Sequence, residues 1–247
     1  MIWHFIDTGF NTGTYNMEFD LNLASSCLSN EAYFRIYRWT PYCISLGANQ
    51  HFEDIILEKA QSDNIDIVKR PTGGRAILHA EELTYSVVLP YSELHSAKEI
   101  YQKISIALIK GLELYNPVFA KAELENFQPN FPQLLQEPSG VLCFGSTAKN
   151  EVKLDGKKLI GSAQRKLNSV VLQHGSILCG TFHRQLVDYI NADGNTKLLL
   201  SKEINEKTTE LETILQEKID YDKLTGCLRS GFESVWNIKF TQAVQTL

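Results

Sequence analysis

The chain has 247 residues, 43% of them apolar and 21% charged, the balance of an ordinary globular protein with a sizeable core, so a single α/β domain over residues 1–247 is expected. Its formal net charge of −5 argues against a nucleic-acid binder that works by neutralising phosphates. No apolar run approaches the ~18 residues of a membrane span, and Met1-Ile-Trp-His-Phe-Ile-Asp7 lacks the basic start and apolar core of a signal peptide. A cytoplasmic protein with no membrane partner is expected. The five cysteines, at 27, 43, 143, 179 and 227, are odd in number and form no C-x-x-C pair, which predicts free thiols in a reducing compartment rather than a disulfide framework or structural zinc.

In chain order, a short first strand precedes a helix over 14–29 with Met17, Leu21, Ala24 and Leu28 on one face and Thr12 or Thr14 as its cap. A strand is predicted over 33–39, a break at Pro41, and a second extended segment over 43–47. Phe52, Ile55, Ile56 and Ala60 suggest another helix. A short strand over 66–69 then runs into the loop Arg70-Pro-Thr-Gly-Gly-Arg75. Residues 83–89, rich in β-branched and aromatic side chains and ended by Pro90, read as a buried strand. Ala97, Ile100, Tyr101, Ile104, Leu108, Gly111 and Leu112 trace one helix face. Residues 123–147 carry Pro129, Pro132 and Pro138 with little periodicity and read as a long loop, a type often functional. Strands over 157–164 and 170–178 form a hairpin about a polar turn over 165–169. Residues 193–220 are polar and poorly periodic, and Leu224, Cys227, Leu228, Gly231, Phe232, Val235 and Trp236 mark a closing amphipathic helix.

A free cysteine is more often buried and inert than nucleophilic. Cys27, Cys43, Cys179 and Cys227 all sit where packing explains them; Cys143 differs, lying in the aperiodic loop after Pro138-Ser-Gly140. Lys158 follows it by fifteen residues. Adjacent strand residues face opposite sides, so a solvated Lys157 turns Lys158 inward, where its ammonium requires an anion: a thiolate, a substrate carbonyl or a buried carboxylate all qualify. Arg70, Thr72, Arg75 and His79 crowd donors around Gly73 and Gly74, a layout suited to a polar carrier group or an oxyanion. His79 and His174 each serve equally well as satisfied structural histidines. Between 149 and 166 six basic residues (149, 153, 157, 158, 165, 166) face two acidic ones (151, 155), a local excess able to steer an acidic protein partner.

The chain resembles the biotin/lipoate protein ligase superfamily, and within it the octanoyltransferases of the lipoyl pathway of the Gram-positive type. The resemblance rests on Trp3-His-Phe-Ile-Asp-Thr-Gly9, Asn16-Met-Glu-Phe-Asp20, Tyr37-Arg-Trp-Thr-Pro41, Ser45-Leu-Gly47, Arg70-Pro-Thr-Gly-Gly-Arg-Ala-Ile-Leu-His79, Glu82-Leu-Thr-Tyr-Ser-Val87, Gly161-Ser-Ala-Gln164 and Gln173-His-Gly-Ser-Ile177. It implies an α/β fold, a mixed β-sheet flanked by helices. It also implies transfer of octanoate from acyl carrier protein to a lysine of a lipoyl domain, on a glycine cleavage H protein or a 2-oxoacid dehydrogenase E2, through an acyl-cysteine. Cys143 is then the nucleophile and Lys158 the group that lowers its pKa. Substrate-binding positions fall on Arg70, Thr72, Gly73, Gly74, Arg75, His79, Gly161, Ser162, Ala163, His174, Gly175 and Ser176, with backbone N–H groups near Gly161–Ala163 or the Gly73-Gly74 loop holding the oxyanion.

No metal or cofactor is expected, because a thioester lies above an amide in free energy. ATP and Mg enter only for the rival reading, a lipoate ligase that adenylates free lipoate. Against that rival stand Arg70-Pro71 in place of a paired arginine, Arg75 in place of a third glycine, and Cys143 itself. A second rival is an amidotransferase between lipoyl domains; a third is a non-catalytic binding module for acyl groups or carrier protein. Ala80 stands where relatives often carry an acid. Burial of six methylenes of an octanoyl tail contributes on the order of 5 kcal/mol, which requires an apolar slot, with Trp39, Leu78 and Val87 as candidate walls.

Overall fold

The computed structural model describes residues 1–91, 96–125 and 150–242. Cys143, Lys149 and the prolines at 129, 132 and 138 lie outside the described residues, as does nearly all of the loop expected over 123–147. Strand β1 (Ile2–Asn11) leads into helix α1 (Gly13–Ser26), capped by Thr12, whose hydroxyl accepts from the Tyr15 N–H. Strands β2 (Glu31–Trp39) and β3 (Cys43–Leu46) follow on either side of a cis Thr40–Pro41 bond. The helix expected over 52–60 divides: a 3₁₀ turn (Phe52–Asp54) and helix α2 (Leu57–Ser62) flank Ile55, which bridges to Ile190. Strands β4 (Asp66–Lys69), β5 (Ile77–His79) and β6 (Glu82–Pro90) enclose the glycine loop.

Helix α3 (Ala97–Tyr115) opens on a capping box between Ser96 and Glu99, and strand β7 (Glu123–Leu124) ends this part of the chain. Strands β8 (Val152–Leu154), β9 (Lys157–Leu167) and β10 (Val170–Leu178) resume it. The expected hairpin is present, but its strands run to Leu167, so the turn narrows to Asn168 and Ser169, with Asn168 at a φ of 51°. Helices α4 (Leu186–Tyr189), α5 (Gly194–Lys207), α6 (Leu211–Leu215) and α7 (Tyr221–Trp236), then strand β11 (Phe240–Gln242), complete the fold.

The stretch over 193–220, read as aperiodic, is thus largely helical. Asp193 caps α5 through the Thr196 N–H, and only Leu200 and Ile204 of α5 are buried, too thin a stripe to show as periodicity.

An eight-stranded mixed sheet runs β11-β1-β2-β6-β10-β9-β8-β7, and a smaller sheet runs β4-β3-β5. Helices α3 and α7 cover one face of the large sheet, where Phe34, Tyr85, Val87, Leu108 and Phe232 join one core. They approach closely because Gly111 and Gly231 meet: a Cβ on Gly231 would stand 2.6 Å from the Ala107 carbonyl oxygen. Helix α1 lies on the opposite face. Its buried side carries Asn16, Met17, Asp20, Leu23 and Ala24, whereas Leu21 and Leu28, expected to face inward, are exposed. Among the described residues no helix is long and apolar enough to cross a membrane.

Candidate active site

Strand register assembles a polar surface on the face of the large sheet that α1 covers. Arg35 pairs with Ser86, Ser86 with His174 and His174 with Ala163; one step along, Tyr37 pairs with Thr84, Thr84 with Ser176 and Ser176 with Gly161. Partners in register share a face, so two cross-strand rows carry these side chains together. The smaller sheet closes over them. Between the two lies a narrow cleft, lined on its apolar side by Met17, Tyr37, Trp39 and Ile77.

Two hydrogen-bonded chains of carboxylate, imidazole and hydroxyl flank the cleft. In the first, Asp20 Oδ2 lies 3.5 Å from His174 Nδ1, and His174 Nε2 lies 2.6 Å from Thr72 Oγ1. Asp20 also accepts from Arg35 (2.8 Å), the Ser86 hydroxyl (2.7 Å) and the Tyr37 hydroxyl (3.2 Å). Burial alone would raise the Asp20 carboxyl, but the His174 hydrogen bond and the Arg35 guanidinium bring it below its ordinary value. Burial pushes His174 the other way, below 6.5, against the pull of Asp20. A neutral His174 beside an ionised Asp20 carries its proton on Nδ1, so Nε2 accepts from the Thr72 hydroxyl.

In the second chain, Glu82 Oε1 lies 2.8 Å from His79 Nδ1 and His79 Nε2 lies 2.7 Å from Ser45 Oγ. Burial would raise Glu82, yet His79 and the Thr84 and Ser176 hydroxyls hold it below the usual carboxylate value. The His79 ring stacks on Trp39 at 4.1 Å between centroids, and the Trp39 indole N–H donates to Thr84 Oγ1 at 2.7 Å.

The glycine loop is a support more than a lining. The Arg70 guanidinium donates to the Ser45 carbonyl and hydroxyl and to the Gly73 and Arg75 carbonyls, pinning the loop to β3. Gly74 has a φ of 93°, a conformation that glycine adopts without strain, and its carbonyl lies where a Cβ on Gly47 would stand. Of the expected binding residues, Arg70, His79, Gly161, Ser162, Ala163, His174, Gly175 and Ser176 line the cleft, whereas Thr72, Gly73, Gly74 and Arg75 are not in its lining. Trp39 is a wall as expected. Leu78 and Val87 are not: each alternates away from the cleft into a separate apolar cluster.

Lys158 is turned inward and 1% exposed, while Lys157 is exposed. Its ammonium lies 2.8 Å from Glu151 Oε1, a carboxylate 3% exposed. The same oxygen accepts the Ser162 N–H at 3.2 Å, so that N–H, one of those expected to hold an oxyanion, is already engaged. Ser162 forms part of the cleft's rim, and Glu151 thereby ties Lys158 to it. The basic excess around 149–166 is smaller at the surface than in sequence, because Lys158 is buried and Lys153 is bonded to Glu125 at 2.6 Å. Cys43 and Cys179 are buried free thiols that burial pushes up, and Cys27 and Cys227 are half-buried.

Sequence reasoning missed Asp20, Glu82, Ser45 and Glu151. A signal existed for two of them. Glu82, Thr84 and Ser86 form a polar stripe at period two within an otherwise apolar strand, and Asn16 and Asp20 interrupt the apolar stripe of α1 at helical spacing. For Glu151 there was none.

A family model described as lipoyl protein ligase A/B catalytic domain matches residues 12–233. The chain is 31% identical to octanoyltransferase LipM of Exiguobacterium sp., covering 99% of this chain and 90% of that protein. It is 33% identical to octanoyltransferase LipM of Clostridioides difficile, covering 97% and 89%. Among solved structures, the bi-partite lipoate protein ligase of Thermoplasma acidophilum superposes with a TM-score of 0.80 at 18% identity, covering 100% of this chain and 88% of that one, a likeness of fold.

Proposed function

Since this chain belongs to the lipoyl protein ligase A/B catalytic domain family, we propose that it is an octanoyltransferase of protein lipoylation. The curated LipM relatives support that reading, since they match over nearly the whole chain at about 30% identity. The donor in this reading is octanoyl-acyl carrier protein. The acceptor is a lipoyl-domain lysine, on a glycine cleavage H protein or a 2-oxoacid dehydrogenase E2.

The observation that carries the mechanism is the Lys158 ammonium, held inside the protein and tied through Glu151 to the rim of an apolar-walled cleft. In this reading the ammonium, although already paired with the Glu151 carboxylate, favours the thiolate over the thiol of a cysteine brought beside it. Cys143 is our candidate for that thiol. Its thiolate attacks the octanoyl thioester carbon, the tetrahedral intermediate collapses, and the carrier thiolate leaves. The octanoyl tail occupies the slot bounded by Met17, Tyr37, Trp39 and Ile77. A deprotonated acceptor lysine then attacks the acyl-cysteine, the Cys143 thiolate departs, and the amine's surplus proton passes to solvent. Thioester becomes amide, so the step needs no nucleotide or metal.

Intact-mass spectrometry tests this. Incubation with octanoyl-acyl carrier protein, without ATP, is expected to add one hydroxylamine-labile octanoyl group that is lost in Cys143→Ala and accumulates more slowly in Lys158→Met. Absence of the adduct, together with ATP-dependent attachment of free lipoate, would establish the ligase reading instead.

A further inference from the structure

The pairing of β8 with β9 begins at Leu154 and Lys157 and stops at Val152 and Ile160, with a register irregularity between Val152 and Lys153. Beyond Ile160, therefore, β9 has no β8 residue beside it. Ser162 lies past the end of that pairing, opposite Gly175 of β10 and in the cleft lining, and its N–H is satisfied by a side chain: Glu151 Oε1, at 3.2 Å. The same atom accepts the Lys158 ammonium at 2.8 Å. One carboxylate oxygen thus accepts from both the β9 backbone and the buried cation.

Stability alone is a poor account of this arrangement. Lys158 is 1% and Glu151 2% exposed, and burying two charges loses hydration that their attraction only partly restores. A neutral acceptor at 151 would serve the Ser162 N–H without burying two charges. What the ion pair adds is direction, because Glu151 holds the ammonium at 2.8 Å on the same oxygen that accepts the Ser162 N–H. The backbone of Lys158 is fixed as well, its carbonyl accepting the Thr209 N–H at 3.0 Å.

We propose that Glu151 is a positioning residue for octanoyl transfer, fixing the Lys158 ammonium and the Ser162 backbone relative to each other at the cleft rim. The inference rests on the octanoyltransferase reading. Glu151 touches no substrate; it acts through Lys158 and Ser162.

The test uses the full chain with Glu151→Gln, which keeps an acceptor oxygen and loses the charge, and Glu151→Asp, which keeps the charge and withdraws it by one methylene. Steady-state transfer from octanoyl-acyl carrier protein to a lipoyl domain is measured on protein whose folded fraction is fixed by circular dichroism. A positioning role predicts kcat lower by 30-fold or more in Glu151→Gln, a KM for the octanoyl donor within threefold of wild type, and partial recovery of kcat in Glu151→Asp. Should Glu151→Gln fold poorly, Glu151→Asp alone decides, with a kcat fall of at least fivefold at unchanged KM expected. The inference is overturned if kcat per folded molecule stays within threefold of wild type in the variants, or if KM rises in step with the loss. A wild-type protein that transfers no octanoate overturns the functional reading itself, a result distinguishable from active wild type with indifferent Glu151 variants.

Discussion

Asp20 is the carboxylate on which the α1 side of the cleft depends. It neutralises Arg35, which is fully buried and also held by the Asn16 side chain and the Thr8 hydroxyl, and it orients the His174 ring that grips Thr72. Removing one member of a buried pair strands the other's charge, at a cost of about 3–5 kcal/mol. Asp20→Asn is therefore expected to lower the unfolding free energy by that amount in urea titration, and a loss below 1 kcal/mol would show that Asn16 and Thr8 suffice for Arg35. At this scale the histidines and the inward turn of Lys158 were legible, because donors clustered about two glycines and strand alternation are local patterns. The acids they bind were not, since an aspartate or glutamate taken singly reads as solvated. The acid missing at Ala80 illustrates the point: Glu82, two positions on, supplies the carboxylate against His79.

The helix pair α3 and α7 shows how elements are held at a fixed distance. Gly231 packs on Gly111 so closely that a Cβ would meet the Gly111 nitrogen and the Ala107 carbonyl, both backbone atoms that cannot swing aside. Gly231→Ala is accordingly expected to force the helices apart and cost about 1–3 kcal/mol, read as a lower thermal midpoint with the cleft's activity largely kept, because these helices lie on the far face of the sheet. An unchanged midpoint would mean that α7 shifts freely. The α7 periodicity, Leu224, Leu228 and Phe232, was plain in sequence, and these residues are fully buried. The division of the 52–60 segment was not: Ile55 is diverted into a bridge with Ile190, a partner 135 positions away that outweighs local helix preference.

For the whole molecule, buried histidines set the response to acid. Burial holds both His174 and His183 below their ordinary value of 6.5, against the partial pull of Asp20 and Glu210. The unfolded chain takes up protons near 6.5 while the native fold refuses them, so stability is full above that pH and falls as pH drops below it, until the depressed native values are reached. Asp20 and Glu82 act in the same direction but in a lower window: their native values lie below 3.8 and 4.5, so the stability they contribute persists through the histidine window and is lost only at lower pH. The thermal midpoint is expected to be level above about pH 7 and to decline toward pH 5. His183→Gln, remote from the cleft, should make the decline shallower. A flat profile from pH 7.5 to 5 would contradict this.

The sequence alone was enough for most of the strands and helices up to about residue 120, though not for β5 or the division of 52–60, and for the hairpin of β9 and β10, the family, and the inward Lys158, because each is written in patterns a few residues long or in motifs kept in a fixed order. Only the tertiary structure decided what those residues meet. Register brings Arg35, Ser86 and His174 into one row although they are scattered over 139 positions, and it stops β8 short so that Glu151 captures both Lys158 and Ser162. Buried charges choose partners by proximity in three dimensions, and a linear pattern carries no measure of that distance.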